Sequence, residues 1–123
     1  NLPVLVRQIV AVGPQYSILV VDDASPDGTG QVADQLAAEF PGRVHVLHRT
    51  GKRGLGRSYV DALSQAITMD VDIVCQMDAD FSHDPQYLPD LVRGVVEGGH
   101  DLVIGSRYLH GVSVVNWPLR RLI

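Results

Sequence analysis

Apolar residues along the chain fall into two rhythms. Leu2, Leu5, Val6, Ile9 and Val10 recur about every 3.6 residues behind Asn1 and Pro3, which predicts a short amphipathic helix that Gly13-Pro14 ends. The run SILVVDD is instead continuously apolar until its two aspartates, the pattern of a strand covered on both faces in a parallel sheet. SPDGTG turns the chain, and Val32, Leu36, Ala37 and Phe40 mark a second helix that Pro41-Gly42 stops. RVHVLHR alternates imperfectly, as a strand near a sheet edge does. After TGKRGLG, the four-residue recurrence of Tyr59, Leu63 and Ile67 predicts a third helix. VDIVCQM reads as a third strand. Asp84 then caps a helix with Pro85 at its first position and Leu88, Leu91, Val92 and Val95 on one face. Gly98-Gly99 closes it, and DLVIGS reads as a fourth strand.

The resulting order, helix and strand alternating four times with short turns, predicts an α/β fold: a mostly parallel sheet flanked by helices, in one domain over residues 1–123. In such sheets ligands gather at the carboxyl ends of the strands. Here those ends read VDDASPDG, HRTGKRGLG, MDADFSHD and GSRY, all polar or glycine-rich. They are expected to line one crevice.

Composition changes this picture little, and charge placement changes it more. The chain has a net charge of -4, which argues against a general nucleic-acid binder. Between Phe40 and Val60, however, stand Arg43, Arg49, Lys52, Arg53 and Arg57 with no carboxylate, and after Asp101 only arginines carry charge. The acids cluster at Asp22 to Asp27 and at Asp78 to Asp84. Separated clusters suit an anionic substrate held partly through a metal, and equally suit solvated loops. Cys75 has no partner for an intramolecular disulfide, so a reducing compartment is expected. No run approaches the roughly 20 apolar residues of a membrane span.

Asp78 and Asp80 flank Ala79 just past an apolar run, where both carboxylates can turn to one point and offer hard oxygens to Mg²⁺ or Mn²⁺. Asp22 and Asp23 stand similarly placed, for a metal, for a base edge or for the turn itself; Asp27 before Gly28 reads as a cap. GKRGLGRSY resembles a phosphate loop without being a Walker A motif, because Lys52 precedes the glycines. Lys52 and Arg53 are expected to face a diphosphate or to start a helix. Arg107, Arg120 and Arg121 suit bidentate phosphate recognition or a solvated surface. His83 can serve as a ligand or proton carrier, and an isolated histidine there is expected rather to stabilise the turn with a hydrogen bond.

Taken together and in order, VVDDASPDGT, GKRGLG, DADFSHDP, VIGSRY and NWPLRR resemble the inverting family 2 glycosyltransferases of GT-A fold (nucleotide-diphospho-sugar transferase, Rossmann-like), and within them the polyprenol- and dolichol-phosphate mannose synthases. The resemblance implies GDP-mannose as donor, a polyprenyl or dolichyl phosphate at the cytoplasmic face of a membrane as acceptor, and Mg²⁺ or Mn²⁺ as cofactor. It places Val21, Asp22, Asp23, Lys52 and Ala79 at the nucleotide sugar and Asp78 and Asp80 at the metal. Ser82 stands where some relatives carry a glutamine ligand. Arg107, Arg120 and Arg121 fall to the phosphates of donor or acceptor. The family's first strand, with its Pro-x-Tyr-Asn-Glu segment, and the C-terminal part of its catalytic domain are expected outside this chain, together with any membrane anchor. Two other classes compete. A receiver-type signalling domain shares the acidic strand ends but needs a lysine beyond a later strand, and Lys52, the only lysine, precedes Asp78. A non-catalytic binding module would keep the same fold.

Overall fold

The computed structural model describes residues 2–50 and 54–105, apart from the side chain of Leu55. Helix α1 (Leu2–Val12) buries Leu5 and Val6. Strand β1 (Ile18–Asp22) comes next, then helix α2 (Thr29–Glu39), strand β2 (Val44–His48), helix α3 (Leu55–Ile67), a 3₁₀ turn (Pro85–Tyr87) and helix α4 (Leu88–Val96). Packing divides the chain into two compact units, Asn1–Leu88 and Pro89–Ile123.

In the first unit β1 and β2 pair in parallel from Ile18↔Val44 to Asp22↔His48, and α2 makes the crossover between them. Parallel neighbours need such a connection, since a tight turn would reverse the chain. Gly28, with φ 84°, supplies the left-handed residue that turns the chain into α2. Val6, Val20, Ala33, Leu36 and Val44 form the core, so α1 and α2 share one apolar layer with the two strands. Arg7 on α1 and Glu39 on α2 close it at the surface with a 3.0 Å ion pair. Arg43 donates to the carbonyls of Gly13 (2.7 Å) and Tyr16 (2.9 Å) and so pins the turn between α1 and β1.

Two expected strands do not form ladders among the described residues. Val71–Met77 joins no ladder among the described residues, and Val71 and Val74 are exposed. A strand exists only through hydrogen bonds to a neighbour, and among the described residues β1 and β2 pair only with one another. The described part of DLVIGS behaves alike: Leu102 and Ile104 are exposed, while Val103 lies under Gly94 of α4, so the side-chain alternation is strand-like without a ladder. Helix α3 turns small residues inward. Its inward residues are Ser58 and Ala66, whereas Leu63 and Ile67 face solvent. No helix among the described residues is long and apolar enough to cross a membrane.

Candidate functional site

Because β1 and β2 are parallel and in register at Asp22↔His48, Asp22-Asp23 and His48-Arg49 emerge at the same edge of the pair. The backbone N–H of Arg49 donates to the Asp22 carbonyl at 2.8 Å, carrying the ladder one bond past β2. Alternation along β1 puts Asp22 on the same buried face as Val20. Its carboxylate, 6% exposed, accepts from the Ser25 N–H at 3.3 Å and lies 3.5 Å from His48 Nδ1. Gly30 makes this enclosure possible, because a Cβ there would stand 2.5 Å from Asp22 Oδ2.

Asp23 has a different setting. Arg49 Nη1 donates to its Oδ1, and Ser58 Oγ donates to its Oδ2 at 2.6 Å. The same Nη1 donates to Ser58 Oγ at 2.6 Å, while Arg49 Nε donates to Asp61 Oδ2 at 3.0 Å. Burial opposes the Arg49 charge, but the hydrogen bonds to Asp23 and Asp61 outweigh it and hold the guanidinium pKa above its ordinary value. His48 Nε2 donates to Asp34 Oδ1 at 2.8 Å, which, with Asp22 nearby, raises the imidazole pKa above its ordinary 6.5. An open cleft of about 390 Å³ adjoins this network between the end of β2 and α3, lined by His48, Arg49, Thr50, Asp61 and Ser64 among others. That volume lies in the range of small-molecule sites.

The second acidic group is on the turn before the 3₁₀ segment. Asp78 and Asp80 are both exposed, as are Ala79 and Ser82. The Ser82 hydroxyl and its N–H, 2.9 Å from Asp80 Oδ1, hold the Asp80 carboxyl below its ordinary 3.8. His83 closes the turn by accepting the Asp78 N–H on Nδ1 at 3.1 Å. Asp84 accepts the Gln86 N–H at 3.0 Å and caps the segment begun by Pro85, and Asp27 accepts both the N–H and the hydroxyl of Thr29. Each acidic pair is succeeded by a non-glycine residue in the left-handed region, Ala24 at φ 53° and Phe81 at φ 63°. Such strain concentrates at functional loops.

The structure therefore brings Asp22, Asp23, His48 and Arg49 to one strand edge, with half-buried Val21 behind them, and places Asp78, Ala79, Asp80 and Ser82 on one turn. Among the described residues no three His, Cys, Asp or Glu side chains gather closely enough to hold a metal by themselves. Lys52, Arg53, Arg107, Arg120 and Arg121 lie outside the described residues. Of the cations expected to meet an anionic ligand, Arg43 and Arg49 are engaged internally, and Arg57 lies 3.4 Å from Asp61. Sequence reading missed Ser58, Asp61 and Asp34 as partners of the site. The one available signal was that two aspartates ending one strand need donors from its neighbour, whose end is His48-Arg49.

Among the relatives that align with this chain are three bacterial and archaeal proteins. A polyprenol monophosphomannose synthase of Mycolicibacterium smegmatis is 50% identical over all of this chain and 46% of its own length. An undecaprenyl-phosphate mannosyltransferase of Micrococcus luteus is 48% identical over 98% of the chain and 49% of its own length. A dolichol-phosphate mannosyltransferase of Pyrococcus furiosus is 39% identical over 89% of the chain and 29% of its own length. The chain thus spans half or less of the curated relatives it matches. No solved structure matches it. A parallel strand pair flanked by helices is what part of a GT-A fold contains, and the family described as "Glycosyl transferase family 2" matches residues 1–123. The chain belongs to glycosyl transferase family 2.

Proposed function

We propose that the intact protein is a polyprenyl-phosphate mannosyltransferase that moves mannose from GDP-mannose to a polyprenyl or dolichyl phosphate, with inversion, at the cytoplasmic face of a membrane. The observation that carries this reading is the 50% and 48% identity, over 100% and 98% of the chain, to proteins named as a polyprenol monophosphomannose synthase and an undecaprenyl-phosphate mannosyltransferase. A membrane-anchoring segment or subunit outside this chain belongs to the same proposal.

In this reading Asp23, with Val21 beside it and Asp22 behind, receives the nucleotide; Lys52 faces the diphosphate, and the backbone at Ala79 lies against the nucleotide sugar. Asp78 and Asp80 are exposed carboxylates one residue apart. Their hard oxygens fit Mg²⁺ or Mn²⁺, which commonly takes one or two carboxylates alongside phosphate oxygens and water. Ser82 steadies Asp80 through the bonds described above. When bound, the ion stabilises the negative charge that builds on the departing diphosphate. The acceptor phosphate is already an anion at neutral pH, so the chain need not supply a strong base. Arg107, Arg120 and Arg121 hold the phosphates in line, and attack opposite the leaving group converts an α-linked donor into a β-linked product.

The test uses the intact protein with polyprenyl phosphate, divalent metal and equal GDP-mannose and UDP-glucose. Mannose transfer is expected to dominate, and Asp78→Ala with Asp80→Ala should abolish metal-dependent turnover without moving the melting temperature. A preference for UDP-glucose would reassign the protein to UDP-sugar-dependent lipid-phosphate glycosylation. Turnover unchanged in the double variant would remove the metal assignment.

A further inference from the structure

Asp23 is fixed by two side chains that the proposed reaction does not otherwise use. We infer that Arg49 and Ser58 are positioning residues, which hold the Asp23 carboxylate in the orientation that receives the nucleotide; this rests on the reading of Asp23 as a nucleotide contact. An ionised carboxylate has about four acceptor positions on its two oxygens. Arg49 takes one on Oδ1 and Ser58 one on Oδ2, so rotation about the side chain is blocked at both oxygens. The Asp23 side chain is still 37% exposed, so a ligand's N–H or O–H donors can approach it.

Arg49 is placed to orient rather than to bind. Its side chain is 5% exposed, so the guanidinium does not turn outward to a phosphate. Asp61 grips Nε and sets the plane of the fork, which aims Nη1 at Asp23 and Ser58 together. Lysine has one ammonium and no second grip, so it cannot hold both ends of this arrangement. Two carboxylates share this one enclosed cation. Ser58 acts in both directions, accepting from Arg49 and donating to Asp23, and this accounts for a polar residue on the inward face of α3.

The experiment measures GDP affinity in the presence of Mg²⁺ by titration calorimetry on the intact protein, with the melting temperature of each variant alongside. Ser58→Ala is expected to weaken GDP binding roughly tenfold, within the span of couplings between touching residues. Ser58→Thr, which keeps the hydroxyl, should restore it. In an Asp23→Ala background Ser58→Ala should add nothing. Arg49→Lys should weaken binding in the same way, again only while Asp23 is present. If Asp23→Ala weakens GDP binding but Ser58→Ala and Arg49→Lys do not, the positioning inference fails and the nucleotide contact stands. If Asp23→Ala leaves GDP affinity unchanged, the nucleotide reading of Asp23 falls and takes the inference with it. Equal loss from Ser58→Ala with and without Asp23 would mean a general structural role and overturn the inference.

Discussion

Gly30 and Gly56 occupy the same helical position, two residues after the N-cap glycines Gly28 and Gly54 of α2 and α3. They differ in what a methyl group would meet. At Gly30 a Cβ would lie 2.5 Å from Asp22 Oδ2 and 3.3 Å from His48 Cε1; at Gly56 nothing among the described residues comes within 4 Å. Alanine for glycine in a helix gains up to about 1 kcal/mol, less in the first turn than in the interior. Overpacking a tight site costs about 1–3 kcal/mol, and here it presses on an enclosed carboxylate. Gly56→Ala should therefore stabilise the protein by about 0.5 kcal/mol, and Gly30→Ala should leave it about 0.5–2.5 kcal/mol less stable. Because propensity nearly cancels between matched positions, the difference isolates the contact at about 1–3 kcal/mol. Chemical denaturation of both variants of the intact protein gives that difference from midpoints at constant slope. Equal stabilisation by the two alanines would refute the close approach of α2 to Asp22, and with it the enclosure of that carboxylate.

The core and the strand edge give two further expected outcomes. Leu36→Ala removes a side chain 2% exposed at the centre of the α2 packing and should cost about 2–5 kcal/mol in denaturation experiments; a loss under about 1 kcal/mol would mean that the layer collapses around the gap. The hydrogen bond to Asp34 raises the His48 pKa above 6.5, so its contribution to stability is complete below that value and disappears as pH rises through the folded-state pKa. The melting-temperature difference between wild type and His48→Gln should shrink across that window, and a pH-independent difference would show that the imidazole charge has no part.

Local signals made most of the fold readable. The helices have their period and their Gly-Pro and Asp-Pro boundaries, and SILVVDD is strand-like on composition alone. Val71–Met77 has equally good strand composition and forms no ladder among the described residues, because pairing is set by which backbone lies alongside, and no local pattern encodes that. On α3 the four-residue recurrence of Tyr59, Leu63 and Ile67 is a stronger local signal than one polar neighbour, yet Ser58 is the residue drawn inward, by Arg49 and Asp23 from distant segments. Arg49 itself looks like a surface cation in a stretch without acids. Its partners lie 26 and 12 residues away along the chain, beyond the reach of any charge-pattern argument. The acidic pairs were legible because strand ends and turn residues are local features.

The crossover between the two strands also fixes where this protein tolerates changes of length. Each paired strand has 5 residues and so runs roughly 16–17 Å, while the 11 residues of α2 rise about 16 Å. The helix returns the chain by just the distance that β1 carries it forward. One residue inserted within α2 after Ala33 would lengthen it by about 1.5 Å and swing the downstream residues by roughly 100°, turning Ala37 and Phe40 off the face that Val32 and Ala33 present to the core. Insertions and deletions must then fall in the turns. The turn leaving β1 holds Asp23, Ala24 and the Asp27 cap, where any change of length would move the ligand edge. The turn entering β2, Phe40 to Arg43, lies at the opposite end of the strands and contains Gly42 at φ 78°. Length variation among related chains should collect there, on the side away from the chemistry.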